Sequence, residues 1–325
     1  MEAPASPSPA SPGAPRPRRV ICLAGPTGAG KTALALRLAG ELGGEIVNAD
    51  SRQAYRDFPI ITAQPTPGER EQAPHHLYGY LETQERGDTA DWARRALAVI
   101  GNLEERGKLP ILVGGTGFYF QTLLRGIADI PVVPADIHEA MTARARAQGA
   151  PALHAELSRI DPVYAAKIHP NDTQRAVRAL EVHAATGRPI SWWHENAACA
   201  PSCRGPLLVA DTPLARLEGP LARRIDTMLD MGALDEGRRA LERCPDENAP
   251  GWSGIGCREV LGHLLGRLSL EAMKEAWYRN TRAYAKRQVT WFRGRAEARW
   301  IDVTRPDDVL ALCRELLAAG DGDEG

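Results

Sequence analysis

Over the first third of the chain, short apolar runs alternate with longer stretches in which leucines recur every third or fourth residue. Val20-Ile21-Cys22-Leu23-Ala24 reads as a buried strand. Thr32–Leu42, with Leu34, Leu38 and Leu42 on one face, reads as a helix ended by Gly43-Gly44. Glu45–Ala49 predicts a second strand, which delivers Asp50-Ser51 at its C-terminal end. Asp88-Thr89 caps a helix predicted to run to about Arg106 and stop at Gly107. Pro110–Val113 is then a third strand, leading into Gly114-Gly115-Thr116-Gly117. Strands alternating with helices predict an α/β fold, a parallel sheet flanked by helices. Pro131-Val132-Val133-Pro134 marks a shift. From Ala135 to about Asn196 the pattern is helical, punctuated by Asp161-Pro162, His169-Pro170-Asn171-Asp172 and Gly187-Arg188-Pro189. The next strand is Pro206–Ala210. Residues 135–204 therefore read as a helical insertion in a core made of 20–134 and 205–325. The last part of that core, from Leu214 to Leu317, reads as mostly helical.

Composition narrows the class. Of 325 residues, 43% are hydrophobic and 25% charged, the balance of a soluble globular protein. No run of about 18 apolar residues occurs, so no membrane span is expected. Residues 1–19, rich in Pro, Ala and Ser, lack the apolar stretch of a secretory signal and read as a disordered tail. Cys199 and Cys203 lie near His194, but no second ligand pair follows at metal-site spacing. All the cysteines are read as reduced thiols of a cytoplasmic, monomeric protein. The formal net charge of −1 means that an anionic partner must be held by a local basic patch.

Gly25-Pro26-Thr27-Gly28-Ala29-Gly30-Lys31-Thr32 satisfies G-x-x-x-x-G-K-[ST] between a predicted strand and a predicted helix. Its glycines let backbone N–H groups converge on phosphate oxygens, and the helix N-terminus adds partial positive charge. Lys31 is placed to neutralise phosphate, and the Thr32 hydroxyl to ligate Mg²⁺. A P-loop NTPase-like core follows, and the motif alone suggests a nucleotide such as ATP. Asp50, at a strand end, can hold Mg²⁺ through water or accept a proton from a nucleophile. The P-loop, Asp50-Ser51 and Gly114–Gly117 all fall at the C-terminal edge of the sheet, where such folds bind ligands. Near the C-terminus, Arg279, Arg282, Lys286, Arg287, Arg293, Arg295 and Arg299 are interleaved with Trp277, Tyr278, Tyr284, Trp291, Phe292 and Trp300. Cations can follow a phosphate backbone while aromatic faces stack unpaired bases, so this region is a candidate RNA surface. Arg175 and Arg178, spaced to share a helix face, form a weaker basic cluster, and Gly254–Glu259 is a Gly-rich turn into a helix.

In order along residues 20 to about 300, the chain resembles the tRNA dimethylallyltransferases, also called tRNA isopentenyltransferases. The resemblance rests on the P-loop, Asp50-Ser51-x-Gln53-x-Tyr55, Ala73-Pro74-His75-His76-Leu77 and Leu112–Gly117. It continues in His169-Pro170-Asn171-Asp172-x-Gln174-Arg175 and Thr281-Arg282-x-Tyr284-Ala285-Lys286-Arg287-Gln288-x-Thr290-Trp291-Phe292-Arg293. It implies that the loop holds dimethylallyl diphosphate, whose prenyl group goes to N6 of the adenosine following the anticodon. It also implies a helical insertion that grips the anticodon stem-loop. Asp50 would be the base, and Lys31 and Arg224 would meet the diphosphate with a Thr32-bound Mg²⁺. Thr27 and Thr116 would line the site, and Ser51 and Gln53 would position a flipped base. Arg52, His138, Gln174, Arg175, Arg178, Arg258, Lys286, Arg287, Gln288 and Arg293 would complete the tRNA contacts, with Asp50 and Thr116. Ile61, Gln64, His138, Pro220 and Cys257 depart from the residues usual there (Gly, Lys, Arg, Arg and Tyr). The missing charges predict weaker, less salt-dependent tRNA binding or a shifted preference.

Three other readings remain on sequence alone. A small-molecule P-loop kinase explains the first 130 residues or so but leaves the basic C-terminal region idle. An isopentenyltransferase acting on free adenine nucleotides is closer, and a catalytically degenerate RNA-binding paralogue is the non-enzymatic reading.

Overall fold

The strands are short, and the central ones are apolar on both faces, as a parallel sheet covered on both sides requires. The computed structural model describes residues 16–197 and 199–319. From the N-terminus it forms β1 (Arg18–Arg19), β2 (Ile21–Ala24), α1 (Lys31–Leu42), β3 (Gly44–Asn48), α2 (Pro67–Gln72) and β4 (His75–His76). α3 (Thr89–Glu105), β5 (Leu109–Gly114) and α4 (Gly117–Arg125) follow. Next come α5 (Ala135–Gln148), α6 (Ala150–Ile160), α7 (Pro162–Ala165), α8 (Thr173–Thr186) and α9 (Ile190–Asn196). The chain then makes β6 (Cys203–Arg204), β7 (Leu207–Ala210), α10 (Leu214–Asp230), α11 (Ala233–Arg243) and α12 (Cys257–Leu264). It closes with α13 (Leu270–Arg293), β8 (Ala298–Ile301) and α14 (Pro306–Ala319).

The main sheet has six strands in the order β4-β3-β5-β2-β7-β8, every pair parallel. β2 is central, with Cys22 opposite Leu112 on one side and Leu207 on the other. Alternation along the strands divides the core in two. Cys22, Ala24, Val47, Leu112 and Val209 pack with Trp92, Ile100 and Phe120 from α3 and α4. Ile21, Leu23, Ile46, Ile111 and Leu208 pack with Leu34 and Leu38 of α1 and Leu310 of α14. A further core joins α10–α13 to the segment after Asp50, with Phe58 edge-on to Trp252 at 4.8 Å.

Residues up to Leu124 and from Pro201 onward form one compact unit, and Arg125–Ala200 form a second. The second unit is helical. Leu153 and Leu157 of α6 pack with Ala176, Val177 and Leu180 of α8. Buried Asp161 accepts the Tyr164 N–H at 2.9 Å, capping α7, and the Ser191 N–H at 2.9 Å, tying in α9.

Three features differ from expectation. The helical unit spans Arg125–Ala200 rather than 135–204, because Cys203–Arg204 pairs as β6 with β1 in the other unit. Arg18 and Arg19, expected in the tail, are β1 itself, while residues 1–15 lie outside the described residues. The mostly helical C-terminal part contains β8, which holds Arg299 and Trp300 in register with Leu208 and Val209. Among the described residues, no helix is long and apolar enough to cross a membrane.

Candidate active site

The turn after β2 needs glycine at three places. Gly28 and Gly30 have φ of 80° and 79°, and a Cβ on Gly25 would lie 2.9 Å from the Ala210 Cβ. The turn brings Lys31 to the first residue of α1, where its Nζ donates to Gly25 O (3.0 Å) and Pro26 O (2.8 Å). Burial lowers the Lys31 pKa to about 8; Asp50 opposes that fall and Arg224 of α10 adds to it. Burial likewise lowers Arg224, against the pull of Asp50 and then Glu69. Two desolvated cations thus lie within electrostatic reach of each other and of one carboxylate, Asp50. A further anion would relieve their repulsion, so this corner of the sheet is electrostatically prepared for one.

Asn48 sets the position of Asp50. It is fully buried at the end of β3, where its Oδ1 accepts the Asp50 N–H at 2.8 Å. Its Nδ2 donates to Asp50 O and Leu77 O, both at 2.9 Å, and its own carbonyl accepts Trp92 Nε1–H at 2.9 Å. Asp50 Oδ1 in turn accepts the Arg52 N–H at 2.9 Å. The second glycine turn closes against the same strand end. A Cβ on Gly114 would sit 2.1 Å from the Ala49 carbonyl, Thr116 N–H donates to Ala49 O (3.1 Å), and Ser51 N–H donates to Thr116 Oγ1 (3.0 Å). Burial and then Asp50 raise the pKa of Tyr284 of α13, against the opposing effects of Arg52 and the Thr116 side chain beside it. The structure therefore brings together Thr27, Lys31, Asp50, Ser51, Thr116 and Arg224 from strands and helices far apart in sequence.

Other expected site residues are placed differently. Gln53 Nε2 donates to Thr62 O (3.1 Å) and Ala63 O (2.7 Å), so it braces the neighbouring loop. Arg52 Nη1 donates to Ser253 Oγ at 3.0 Å. Gln288, expected at the RNA surface, is 4% exposed and lies between the two glycine turns. In the helical unit, His138 and Arg178 converge on buried Glu181 at 2.6 and 2.9 Å. Gln174, Arg175, Arg258, Lys286, Arg287 and Arg293 are exposed. Trp277 and Phe292, candidate stacking faces, are core residues, because α13 turns them inward. Gln64 and Ile61, at two of the departures, are also interior: Gln64 Nε2 donates to Tyr55 O at 2.7 Å and Ile61 packs against Gly256.

Asn48 and the α2 segment do not stand out in the sequence pattern, yet both border the site. Burial raises the Tyr78 pKa and Asp50 raises it further, and Arg70 of α2 lies 5.6 Å from the Tyr78 ring centroid. The signal for α2 is a capping box, in which Thr66 and Glu69 satisfy each other's backbone N–H groups.

A family model described as IPP transferase matches residues 53–295. The chain belongs to the IPP transferase family. The match takes in the Gly114–Gly117 turn, Arg224 and α13, and the P-loop and Asp50 precede it. A tRNA dimethylallyltransferase of Desulfovibrio desulfuricans is 58% identical over 93% of both chains. One of Rhodospirillum centenum is 45% identical over 86% of this chain and 90% of its own. Among solved structures, the full-length tRNA isopentenylpyrophosphate transferase of Bacillus halodurans superposes with TM-score 0.69 at 32% identity, covering 94% of this chain and 99% of that one. A eukaryotic dimethylallyltransferase acting on tRNA gives TM-score 0.75 at 31% identity, covering 88% and 74%. This IPP transferase chain is thus similar to its relatives over nearly its whole length.

Proposed function

We propose that the chain is a tRNA dimethylallyltransferase that moves the prenyl group of dimethylallyl diphosphate to N6 of the adenosine beside the anticodon. The observation that carries this reading is the P-loop lysine, Lys31, folded onto its own loop at the C-terminal edge of the sheet, with the desolvated Lys31 and Arg224 both within electrostatic reach of Asp50. In the transfer, the allylic C1–O bond breaks and an N6–C1 bond forms. The N6 proton goes to Asp50, and diphosphate leaves. An exocyclic amine is a weak nucleophile, so a carboxylate at its proton lowers the barrier. Lys31, Arg224 and the loop amides oppose the negative charge that grows on the departing diphosphate. Ser51, Thr116 and Tyr284 form the polar wall beside Asp50 against which the base sits.

Thr32 is exposed on the first turn of α1, and its hydroxyl oxygen is the kind of donor Mg²⁺ takes. Among the described residues no three His, Cys, Asp or Glu group together for a metal. Thr32 would therefore hold the ion jointly with diphosphate oxygens and water, as Mg²⁺ sites of phosphorylated substrates do. Bound there, Mg²⁺ would supply further charge neutralisation at the leaving group. Recognition of the anticodon stem-loop, partly by Gln174 and Arg175, a monomeric state and a cytoplasmic location belong to the same reading.

The test is transfer from labelled dimethylallyl diphosphate to unmodified tRNA with Mg²⁺, with ATP as competitor. Label in the tRNA, little reduced by ATP, is expected. ATP turnover without label would establish the kinase reading, and tRNA binding with neither activity the degenerate paralogue.

A further inference from the structure

α13 sends three side chains, from one face, into the two glycine turns. Tyr284, Gln288 and Trp291 are spaced four and three residues apart, so they line one side of the helix. They meet three consecutive residues of the second turn. Tyr284 lies beside the Thr116 side chain, Gln288 Nε2 donates to Gly115 O at 3.0 Å, and Trp291 covers Gly117 so closely that a Cβ there would be 2.2 Å from its ring. Gln288 also reaches the P-loop, where its Oε1 accepts the Thr27 N–H at 3.0 Å. Its carboxamide is therefore a two-ended bridge, one end on each turn. A Cβ at Gly115 would fall 1.9 Å from Gln288 Nε2, so any other residue there would push the carboxamide out of its bridging position.

We propose that Gln288 is a positioning residue that sets the spacing between the donor-binding P-loop and the acceptor-side turn at Gly115-Thr116. This rests on the reading of the site as a prenyl transferase. The bridge has two consequences. The Thr27 amide is committed to Gln288 rather than to phosphate, so the loop's anion-binding amides are those nearer Lys31. The carbon and the nitrogen that must meet are carried on turns that leave the neighbouring strands β2 and β5, and beyond the last ladder pair, Ala24–Gly114, one buried side chain bridges those turns. Transfer requires the reacting atoms about 3–3.5 Å apart, and a misplacement of about 1 Å costs on the order of a hundredfold. Gln288 thereby acts on the rate of the bond-forming step, through Thr27 and Gly115, without touching either substrate.

Gln288→Met keeps the length and loses both hydrogen bonds. Gln288→Glu keeps the acceptor for the Thr27 N–H but presents an oxygen to Gly115 O, and it regains a donor only when its carboxyl is protonated. The measurements are single-turnover transfer, donor KM, tRNA affinity and thermal stability. Expected for Gln288→Met is a loss of about tenfold or more in the transfer rate with tRNA affinity within about twofold of the native protein. The Gln288→Glu rate, expressed as a ratio to native at each pH, should rise as pH falls from about 8 to about 6, as a buried carboxyl protonates. Purely structural damage would not give that pH-dependent recovery. Native-like rates in Gln288→Met would overturn the proposal, as would equal losses of rate and tRNA affinity, which would make Gln288 an RNA contact. If Gln288→Met does not fold, a flat Gln288→Glu ratio across the pH range overturns it alone, and a rising one sustains it.

Discussion

Lys31 is a cation that the fold itself works against. Burial takes its pKa from 10.5 to about 8, and that single group sets two opposite pH slopes. If Lys31 holds the diphosphate as proposed, its ammonium form is needed, so donor affinity should fall as pH rises past about 8, by up to about tenfold per unit. The unfolded chain keeps the proton up to 10.5, so between about 8 and 10.5 it binds more protons than the folded one and stability rises with pH. A pH series of donor KM and melting temperature should show both trends, and Lys31→Met should remove both. Glu236 gives a third slope. Burial pushes it from 4.5 up to about 7, although the Ile60 and Ile61 N–H groups each donate to it at 2.8 Å. Between those values the folded protein binds more protons than the unfolded chain, so stability falls as pH rises through the window. Glu236→Gln should flatten the melting-temperature profile there; an unchanged slope would assign it to other groups.

At the scale of elements, the glycine turns and helices make contrasting predictions. Gly117→Ala would place a methyl 2.2 Å from the Trp291 ring, so that ring or α13 itself must move, at a cost of about 1–3 kcal/mol in urea denaturation. Gly40, inside α1, is the reverse case, since a Cβ there would meet nothing within 4 Å. Gly40→Ala should stabilise by about 0.5–1 kcal/mol, because alanine favours helix. The legibility of the elements follows from the same local physics. α1 and α3 are legible from leucine spacing, the Asp88 cap and terminal glycines, and the observed bounds differ by a residue or so. The location of Asp50 and both glycine turns is legible because parallel strands end together on one edge. β8 is not, since Ala298–Ile301 is short, half-polar and embedded in a basic run, and becomes a strand only by pairing with distant β7. β4 consists of two histidines with no strand pattern, held by Ile46 and Val47. Gln288 reads as a surface residue because Lys286 and Arg287 precede it, and only the tertiary position of α13 reveals its burial.

For the molecule as a whole, a net charge of −1 rules out a global field as the means of holding RNA. Affinity must come from exposed cations such as Lys286, Arg287 and Arg293 of α13. Replacing Lys286 and Arg287 together by Ala should weaken tRNA binding. The slope of log affinity against log salt should become shallower by about 0.7–0.9 for each phosphate no longer neutralised. An unchanged slope would remove that part of α13 from the RNA interface. The departures at Ile61 and Gln64 bear on packing instead, since both side chains are interior. The proposed role of Asp50 is to take the proton at a site whose cations hold the donor. It is tested most directly by single-turnover transfer with native protein and Asp50→Ala, both saturated with labelled dimethylallyl diphosphate and tRNA. A rate lower by about 10²–10⁴-fold is expected in Asp50→Ala with tRNA affinity close to native; a transfer rate near native would contradict that role.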